Sequence, residues 1–341
     1  MCTAITLKTT DNECFFGRTM DFSYTLDPQL YLLPRDMKKP GAEASRLFEN
    51  KYSSIGIGQD VSSKVLFADG VNEMGLSAAA LYFPGYAYFQ EPGNPAFDSS
   101  KTEVTAVELV NLLLGSCQSV EQCASLLKNV VITSYEDPIT KTIAPLHWIA
   151  ADKSGRCMVI EQTKSGMHLW NNPVGVLTNS PGFDWHMTNL RNYGGLSQTP
   201  PDSMAWGGLK LPPFGQGAGG FGLPGDFTPP SRFVRTAFQK YHIHQPKNRE
   251  EAVISGFHIL ENVTIPKGVV VTERGTDDYT QYTAMLNNST GEYFIKTYDN
   301  SGIVTASLPR GGFTGPRPVS LGKLYRPPVF SPLESAPPFT P

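Results

Sequence analysis

Cys2 stands directly behind the initiator methionine and opens a strand-like run over residues 2–7. A second side chain this small permits removal of Met1, after which Cys2 would carry both a thiol and a free α-amine. An α-amine titrates at about 7.7–8.0 and is partly neutral near physiological pH, so it can accept the thiol proton. The sequence therefore predicts a nucleophile and its base on one residue. A small buried strand cysteine without chemistry is the alternative interpretation.

Two charged residues are spaced to assist this cysteine. Residues 14–22 have the pattern of a second strand after the polar turn at residues 9–13, and a hairpin would bring Arg18 and Asp21 beside the N-terminus. The guanidinium would favour the thiolate, and the carboxylate would orient the amine. Residues three apart in a regular strand point to opposite faces, so the sequence predicts a bend or bulge between Arg18 and Asp21. A surface ion pair is the alternative.

Five sequence blocks give the chain a family resemblance. They are Met-Cys-Thr at the start, Gly-Arg-Thr-Met-Asp-Phe at 17–22, Asp-Gly-Val-Asn-Glu-Met-Gly-Leu at 69–76, Leu-Thr-Asn-Ser-Pro at 177–181, and Phe-Gly-Gln-Gly at 214–217 continued by 223–233. In this order they resemble the choloylglycine hydrolases, a family of N-terminal-nucleophile amidases that comprises penicillin V acylases and conjugated bile salt hydrolases. The resemblance extends from Cys2 to about Leu308.

The resemblance implies roles for the residues around the N-terminus. Cys2 would be the nucleophile, Arg18 its electrostatic partner, and Asp21 the group that holds the freed α-amine. The expected reaction is hydrolysis of a linear carboxamide through a thioester.

The resemblance also implies donors for the negative oxygen of the tetrahedral intermediate. The side-chain amide of Asn179 and the backbone N–H of Tyr82 would stabilise this oxyanion, and two such donors are worth roughly a few kcal/mol each. Arg232 would complete the charged cluster. The alternatives are a turn residue at Asn179 and a solvated helix cation at Arg232, although a positive charge in a first turn opposes the helix dipole.

Substrate choice depends on the aromatic residues near the site. Phe22, Tyr24, Tyr82 and Phe83 are expected to help bury an aromatic or steroid acyl group, with ordinary core packing as the alternative. By resemblance, Tyr82 favours the penicillin V acylases, because many bile salt hydrolases have Asn at this position. Residues 83–86 look more like the sequence of the bile salt hydrolases. We therefore predict a penicillin V acylase-type amidase, with conjugated bile salt hydrolase as the alternative within the family.

Composition and charge exclude several other classes of protein. The chain has 341 residues, of which 40% are hydrophobic, and its formal net charge of -3 gives no reason to expect a nucleic-acid partner. The five cysteines lack the paired spacing of zinc sites, and the six histidines are scattered. We expect no metal and no cofactor. A metal-dependent amidase and a non-catalytic ligand-binding protein remain as rival classes.

Location and assembly are predicted from weaker signals. No basic start with a long apolar stretch suggests a secretory signal, and no run of about eighteen apolar residues suggests a membrane span, so we expect a cytoplasmic protein without a membrane partner. The family resemblance implies a homotetramer.

The predicted elements alternate between strands and paired helices. Strands are expected at 2–7, 14–22, 65–68, 76–82, 146–150, 157–161, 167–170, 279–286, 293–297 and 303–308, and helix pairs within 105–130 and over 231–244 and 248–263. Such an order suits stacked sheets covered by helices. The fold class is therefore α+β, and the family resemblance implies a four-layer αββα sandwich of two mainly antiparallel sheets.

The chain ends in a segment of different composition. Residues 1–308 are expected to form the catalytic domain, and residues 309–341 are rich in proline and basic residues. Because proline cannot donate to a ladder, this tail is expected to form neither strand nor helix and to be loosely ordered. The Gly- and Pro-rich stretch 200–230 is expected to be either an ordered loop near the active site or a linker, and the family resemblance favours the ordered loop.

Overall fold

Two large antiparallel sheets make up most of the structure, a computed structural model that describes residues 1–24, 26–37, 50–61, 64–91, 100–134, 136 and 142–333. The first sheet has six strands in the spatial order β12 (Val176–Leu177), β1 (Cys2–Lys8), β2 (Cys14–Phe22), β15 (Tyr279–Asn287), β16 (Glu292–Thr297) and β17 (Asn300–Ser307). The N-terminal strand lies inside this sheet, and its residues Ala4 and Ile5 are paired with strands on both sides.

The second sheet has eight strands. Their spatial order is β11 (Gly166–Asn171), β10 (Cys157–Thr163), β9 (Leu146–Asp152), β6 (Leu76–Tyr82), β5 (Lys64–Asn72), β4 (Ser54–Val61), β3 (Gln29–Leu33) and β18 (Val319–Lys323). Two small sheets complete the strands of the described residues: β7 (Thr102–Thr105) lies parallel to β8 (Val130–Thr133), and β13 (Met204–Trp206) forms a hairpin with β14 (Leu209–Leu211).

Helices cover the outer faces of both sheets. They are α1 (Leu109–Ser116), α2 (Val120–Leu127), α3 (Phe183–Leu190), α4 (Pro229–His242) and α5 (Arg249–Glu261), with short 3-10 turns at Ala106–Glu108, Arg191–Tyr193 and Ala218–Gly220. α1 and α2 contact the eight-stranded sheet, whereas α4 and α5 contact the six-stranded sheet. The result is the four-layer αββα sandwich that the family resemblance implied.

Strand alternation explains the two cores. In β9, Ile149 and Ala151 belong to the core between the sheets, whereas Trp148 and Ala150 face the core beneath α1 and α2. Successive side chains of a strand point to opposite faces, so a strand buried on both sides reads as a continuous apolar run.

Glycines let α5 approach the six-stranded sheet closely. A Cβ on Gly17 of β2 would lie 2.2 Å from the Sδ of Met285, and one on Gly256 of α5 would lie 2.4 Å from the Cε of the same methionine. Neither position has room for a larger side chain, so Met285 of β15 fills the space between helix and sheet.

Much of the predicted order of elements is confirmed. The hairpin β1–β2, the meander β9–β10–β11 and both helix pairs are present, and the Oγ of Ser119 accepts the N–H of Gln122 at the start of α2. Strands β3, β4, β7, β8 and β12–β14 and helix α3 were not predicted. The stretch 200–230 contains the hairpin β13–β14 and ends beside the site, where the carbonyl oxygen of Phe227 accepts a hydrogen bond from Arg232.

The expectation that no strand forms after residue 308 is wrong for β18. Val319–Lys323 pairs antiparallel with β3 at the edge of the eight-stranded sheet. The stretch 319–326 contains no proline, and an edge strand tolerates prolines beside it. Residues 334–341 of the predicted tail lie outside the described residues, and the domain boundary at residue 308 stays a prediction.

Within the described part of the chain, no helix combines the length and the apolar character needed to cross a bilayer.

Candidate active site

The hairpin β1–β2 places Cys2 opposite Met20 and Ala4 opposite Arg18. Cys2 is 3% exposed, and the side chains of Arg18 and Asp21 are fully buried. All three predicted residues therefore meet at the N-terminal end of one hairpin inside the protein.

Arg18 contacts the thiol of Cys2 on the face of β2 that points toward the eight-stranded sheet. Its Nη2 lies 3.0 Å from the Sγ of Cys2. Its Nη1 donates to the carbonyl oxygens of Ala68 and Ala80, each at 3.2 Å, on two strands of that sheet. A guanidinium fixed at a sulfur by several acceptors favours the thiolate form of that sulfur.

Asp69 completes the surroundings of Arg18 and was missed by the sequence analysis. Its carboxylate lies 3.3 Å from Nη1 of Arg18 and accepts hydrogen bonds from the phenols of Tyr282 at 2.5 Å and Tyr293 at 2.9 Å. Burial raises the pKa of Asp69, and Arg18 and the two phenols oppose this rise. The available sequence signal was its place at the start of the block 69–76.

Asp21 lies on the opposite face of β2, toward α4. Its carboxylate accepts hydrogen bonds from Thr280 Oγ1 at 2.6 Å and Thr19 Oγ1 at 3.2 Å, and it lies 4.0 Å from Nη1 of Arg232. Burial raises the pKa of Asp21, and the Arg232 charge lowers it.

The predicted bend between Arg18 and Asp21 is wrong. Cys2 through Lys8 pair with β2 in continuous register, and the irregularity lies one strand away, between Thr280 and Tyr282 of β15. A bend is unnecessary because Arg18 reaches the thiol from one face of the sheet while Asp21 lies on the other.

Asn179 links the site to the loop after β12. Its Oδ1 accepts the backbone N–H of Cys2 at 2.9 Å and Nη2 of Arg232 at 2.5 Å, and its Nδ2 donates to the carbonyl oxygen of Tyr82 at 2.6 Å. Two donors on one end of the amide fix which atom is oxygen and which is nitrogen. The second N–H of Nδ2 therefore remains a donor beside Cys2.

Strand geometry directs the backbone N–H of Tyr82 toward the side on which Asn179 lies. The N–H and C=O of one strand residue lie on the same edge of the strand, and the next residue uses the other edge. The Tyr82 carbonyl meets Asn179, whereas the adjacent Phe83 N–H bonds to Pro145 on the side of β9. The Tyr82 N–H thus faces the Asn179 side, as an oxyanion donor requires.

Arg232 lies in the first turn of α4 and is fully buried, so the alternative of a solvated cation is excluded. It donates to the Cys2 carbonyl oxygen at 2.6 Å and to Thr3 Oγ1 at 2.7 Å. Burial lowers the pKa of Arg232, and the Asp21 carboxylate raises it. This cation fixes the backbone of the nucleophile and not its thiol.

Met1 continues the β1–β2 ladder in the structure. Its N-terminal amine donates to the carbonyl oxygen of Asp21 at 2.6 Å and lies 3.2 Å from the Asp278 carboxylate, while the Asp21 N–H donates to the Met1 carbonyl oxygen at 3.0 Å. The Cys2 nitrogen is a peptide nitrogen in this form. Base chemistry by the Cys2 amine therefore requires removal of Met1.

The predicted aromatic residues are placed differently from one another. Phe22 and Tyr24 have ring centroids 5.6 Å apart, and Tyr24 is exposed with the guanidinium of Arg274 at 4.8 Å from its ring. Phe83 is fully buried and stacks on His147 at 4.3 Å. This position suits support of the Asn179 loop better than substrate contact.

Among the described residues, no group of three His, Cys, Asp or Glu side chains is arranged to hold a metal ion. The five cysteines are all free and buried.

Known structures define the class of this fold. The crystal structure of the C2A variant of the conjugated bile acid hydrolase from Clostridium perfringens matches with a TM-score of 0.88 and 33% identity, covering 98% of this chain and 100% of that one. Penicillin V acylase from Agrobacterium tumefaciens matches with a TM-score of 0.71 at 22% identity, over 90% of this chain and 86% of that one, which shows likeness of fold alone. The chain has the N-terminal-nucleophile hydrolase fold.

Sequence comparison gives the family. The model for linear amide C–N hydrolases of the choloylglycine hydrolase family matches residues 2–319. The bile salt hydrolase/transferase of Clostridium perfringens is 36% identical over 317 residues, 92% of this chain and 94% of the relative, and that of Lactiplantibacillus plantarum is 36% identical over 308 residues, 90% and 92%. The chain belongs to the choloylglycine hydrolase family and is a hydrolase of linear amide C–N bonds.

Proposed function

We propose that this protein hydrolyses the amide bond of conjugated bile salts, with Cys2 as nucleophile after removal of Met1. The observation that carries the mechanism is the contact of the fully buried Arg18 with the Cys2 sulfur at 3.0 Å. A cysteine beside a fixed cation reacts more readily as a nucleophile, because the cation stabilises the negative charge of a thiolate.

The reaction begins when the Sγ of Cys2 attacks the amide carbonyl carbon. The neutral α-amine takes the thiol proton, and the negative oxygen accepts hydrogen bonds from Asn179 Nδ2 and the Tyr82 N–H. The C–N bond then breaks, and the leaving amine receives the proton from the α-ammonium. Water, deprotonated by the same amine, attacks the thioester, which releases the carboxylic acid and restores the thiol.

Asp21, Arg232 and the Oδ1 of Asn179 act on the backbone end of the nucleophile. Asn179 Oδ1 already accepts the Cys2 N–H at 2.9 Å, and Arg232 holds the Cys2 carbonyl oxygen at 2.6 Å. With Met1 gone, the same acceptor and the nearby Asp21 carboxylate orient the free amine toward the sulfur. Preorganised groups of this kind cost no rearrangement during reaction.

The comparisons favour a steroid amide over penicillin V. The relatives from Clostridium perfringens, Lactiplantibacillus plantarum and Lactobacillus acidophilus are named as bile salt or conjugated bile acid hydrolases, at 33–36% identity over at least 90% of this chain. The likeness to penicillin V acylase rests on fold alone. The preference for penicillin V that Tyr82 suggested therefore gives way to its alternative.

A side-by-side assay tests both parts of this proposal. Glycine-conjugated cholate and penicillin V are offered to the purified protein, and intact mass records whether Met1 is absent. We expect faster turnover of the bile salt, loss of turnover in Cys2→Ala, and loss after thiol alkylation. Preference for penicillin V would overturn the substrate, and turnover that survives Cys2→Ala or retention of Met1 would overturn the mechanism.

We also propose a homo-oligomer in which the hairpin β13–β14 contacts another copy. Met204, Trp206 and Leu209 are 60%, 71% and 63% exposed, which is unusual for large apolar residues on one short hairpin. Light scattering of Met204→Ser/Trp206→Ser against wild type tests this, with dissociation expected and an unchanged mass contradicting it. A tetramer and a cytoplasmic location stay predictions.

A further inference from the structure

A buried histidine–glutamate pair lies behind the loop that carries Asn179. His147 of β9 is fully buried and Glu161 of β10 is 2% exposed. The Nδ1 of His147 lies 3.3 Å from Oε1 of Glu161, and its Nε2 lies 3.1 Å from the carbonyl oxygen of Thr178. Neither residue belongs to the proposed reaction.

The two ring nitrogens of His147 both face oxygen atoms. A carbonyl oxygen only accepts, so Nε2 must carry a proton to bond Thr178. Nδ1 faces a carboxylate oxygen, so a proton lies on that side too. Glu161 also accepts the Phe183 N–H at 2.9 Å and the indole N–H of Trp170 at 3.0 Å. Both N–H groups need an acceptor at Glu161, so both carboxylate oxygens serve as hydrogen-bond acceptors.

A second histidine holds the next carbonyl of the same loop. His186 of α3 is fully buried, and its Nε2 lies 2.8 Å from the Asn179 carbonyl oxygen, while its Nδ1 has no partner in the described structure. Burial lowers the pKa of His186 to about 4, to which the His147 and Arg232 charges contribute, so His186 is neutral at pH 7. Two buried histidines thus hold the consecutive carbonyl oxygens of Thr178 and Asn179.

The ring of Phe83 packs against His147 on the side of Tyr82. It stacks on His147 at 4.3 Å with an angle of 6° between the rings, and it belongs to the segment that follows the Tyr82 N–H. A cation over an aromatic face is attracted by the ring quadrupole. His147 therefore touches the supports of both oxyanion donors: the Asn179 loop through Thr178, and the Tyr82 strand end through Phe83.

We propose that the His147–Glu161 ion pair is a positioning device for the oxyanion donors, holding His147 doubly protonated so that it donates to Thr178 and Glu161 at once. The proposal rests on the proposed function in one respect, that Asn179 and the Tyr82 N–H bind the oxyanion. The titratable and charged groups that face His147 are Glu161 from β10, the neutral His186 from α3 and, beyond it, Arg232 from α4.

The protonation state of His147 can be tested without any measurement of activity. Uniformly 15N-labelled protein, with His147 assigned by comparison with His147→Gln, gives the shifts of both ring nitrogens at pH 7. We expect the imidazolium pattern, with both nitrogens protonated. A neutral tautomer at His147 overturns the proposal, whatever the substrate of the enzyme is.

The positioning role is tested with Glu161→Gln. The Phe183 N–H keeps the amide oxygen at the position of Oε1, so a neutral His147 can donate to that oxygen or to Thr178 but not to both, and the oxyanion donors shift. We expect kcat for the amide substrate to fall about tenfold with KM within about twofold, because only transition-state stabilisation is lost. The rate of Cys2 alkylation should stay at the wild-type value, since Arg18 lies on another strand.

The matched control is Glu261→Gln, which removes a carboxylate from an exposed histidine pair, His258 Nδ1–Glu261 Oε2 at 3.4 Å. Wild-type kcat is expected there. Equal losses in both variants, or an unchanged kcat in Glu161→Gln, would overturn the positioning role. If Glu161→Gln fails to fold, the same kinetics are measured on His147→Gln, and the same fall in kcat is expected. Turnover that survives Cys2→Ala would sink the proposed function alone and leave the imidazolium result standing.

Discussion

Arg18 and Asp21 lie on opposite faces of the same strand and serve the same residue, Cys2. Arg18 contacts the thiol at 3.0 Å from the side of the second sheet, whereas Asp21 lies toward α4 beside Arg232. The sheet therefore separates a site for the sulfur from a site for the amine. Each charge can act on one end of the nucleophile without cancelling the other.

Arg18→Gln should lose both reactivity and stability. The Cys2 sulfur loses its cation, so its alkylation at pH 7 should slow by about tenfold or more. Asp69 keeps two phenol donors but loses its charge partner, and removing one member of a buried pair costs about 3–5 kcal/mol of unfolding free energy. Alkylation kinetics and urea unfolding measure the two effects.

The double variant Arg18→Gln/Asp69→Asn separates the effect on Cys2 reactivity from the effect on stability. It removes the stranded carboxylate, so part of the lost stability should return while alkylation stays slow. A double variant as unstable as Arg18→Gln would show that Asp69 is not the source of the cost.

The local parts of the site were predictable from sequence, and the distant parts were not. The hairpin β1–β2 follows from two strand-like runs and one polar turn, so Arg18 and Asp21 could be placed beside Cys2. Asp69 makes its contacts with strands far away in sequence, and nothing in its own neighbourhood indicates those partners. His147 meets Glu161 across the predicted hairpin β9–β10, but its contact with Thr178 depends on a loop that follows β12 and was not predicted. β18 was missed because prolines on either side obscured a short strand whose pairing is decided by the edge of β3.

Asn179→Ala should reduce kcat about 100- to 1000-fold with a smaller change in KM, because an oxyanion donor acts mainly in the transition state. The control is Ser180→Ala at the next residue, whose hydroxyl donates to the Pro84 carbonyl oxygen and is placed in no step of the reaction. Steady-state kinetics on one amide substrate compare the two. A loss in KM alone would assign Asn179 to binding and contradict its oxyanion role.

His186 should make the fold sensitive to acid. Burial lowers its pKa from 6.5 to about 4, so between these values the unfolded chain binds a proton that the folded protein does not. Stability is therefore present above pH 6.5 and lost as the pH falls toward 4, by about 3 kcal/mol in total. Urea unfolding at several pH values should show this slope in wild type and a flatter one in His186→Gln. The partly exposed His168→Gln should keep the wild-type slope; if it flattens instead, the assignment is wrong.

Deletion of residues 309–341 tests whether the C-terminal segment supports the fold without taking part in catalysis. Besides β18, the segment supplies the Phe313 carbonyl oxygen to Arg35 and the Phe313 N–H to Ser53, and Leu324 is 8% exposed. Losing one buried leucine and several hydrogen bonds should lower the free energy of unfolding by about 2–4 kcal/mol.

The activity of the same deletion at 25 °C should stay within about twofold of wild type, because the described contacts of this segment reach β3 and its surroundings and not Cys2. Deletion of residues 329–341 alone is the control, since Val329 and Phe330 are exposed. It should change neither the unfolding midpoint nor kcat. A longer deletion that folds with wild-type stability would mean that β18 adds nothing to the sheet. One that folds but loses turnover would contradict this prediction and give the segment a part in the active site, although β3 lies three strands away from β6, which carries Tyr82.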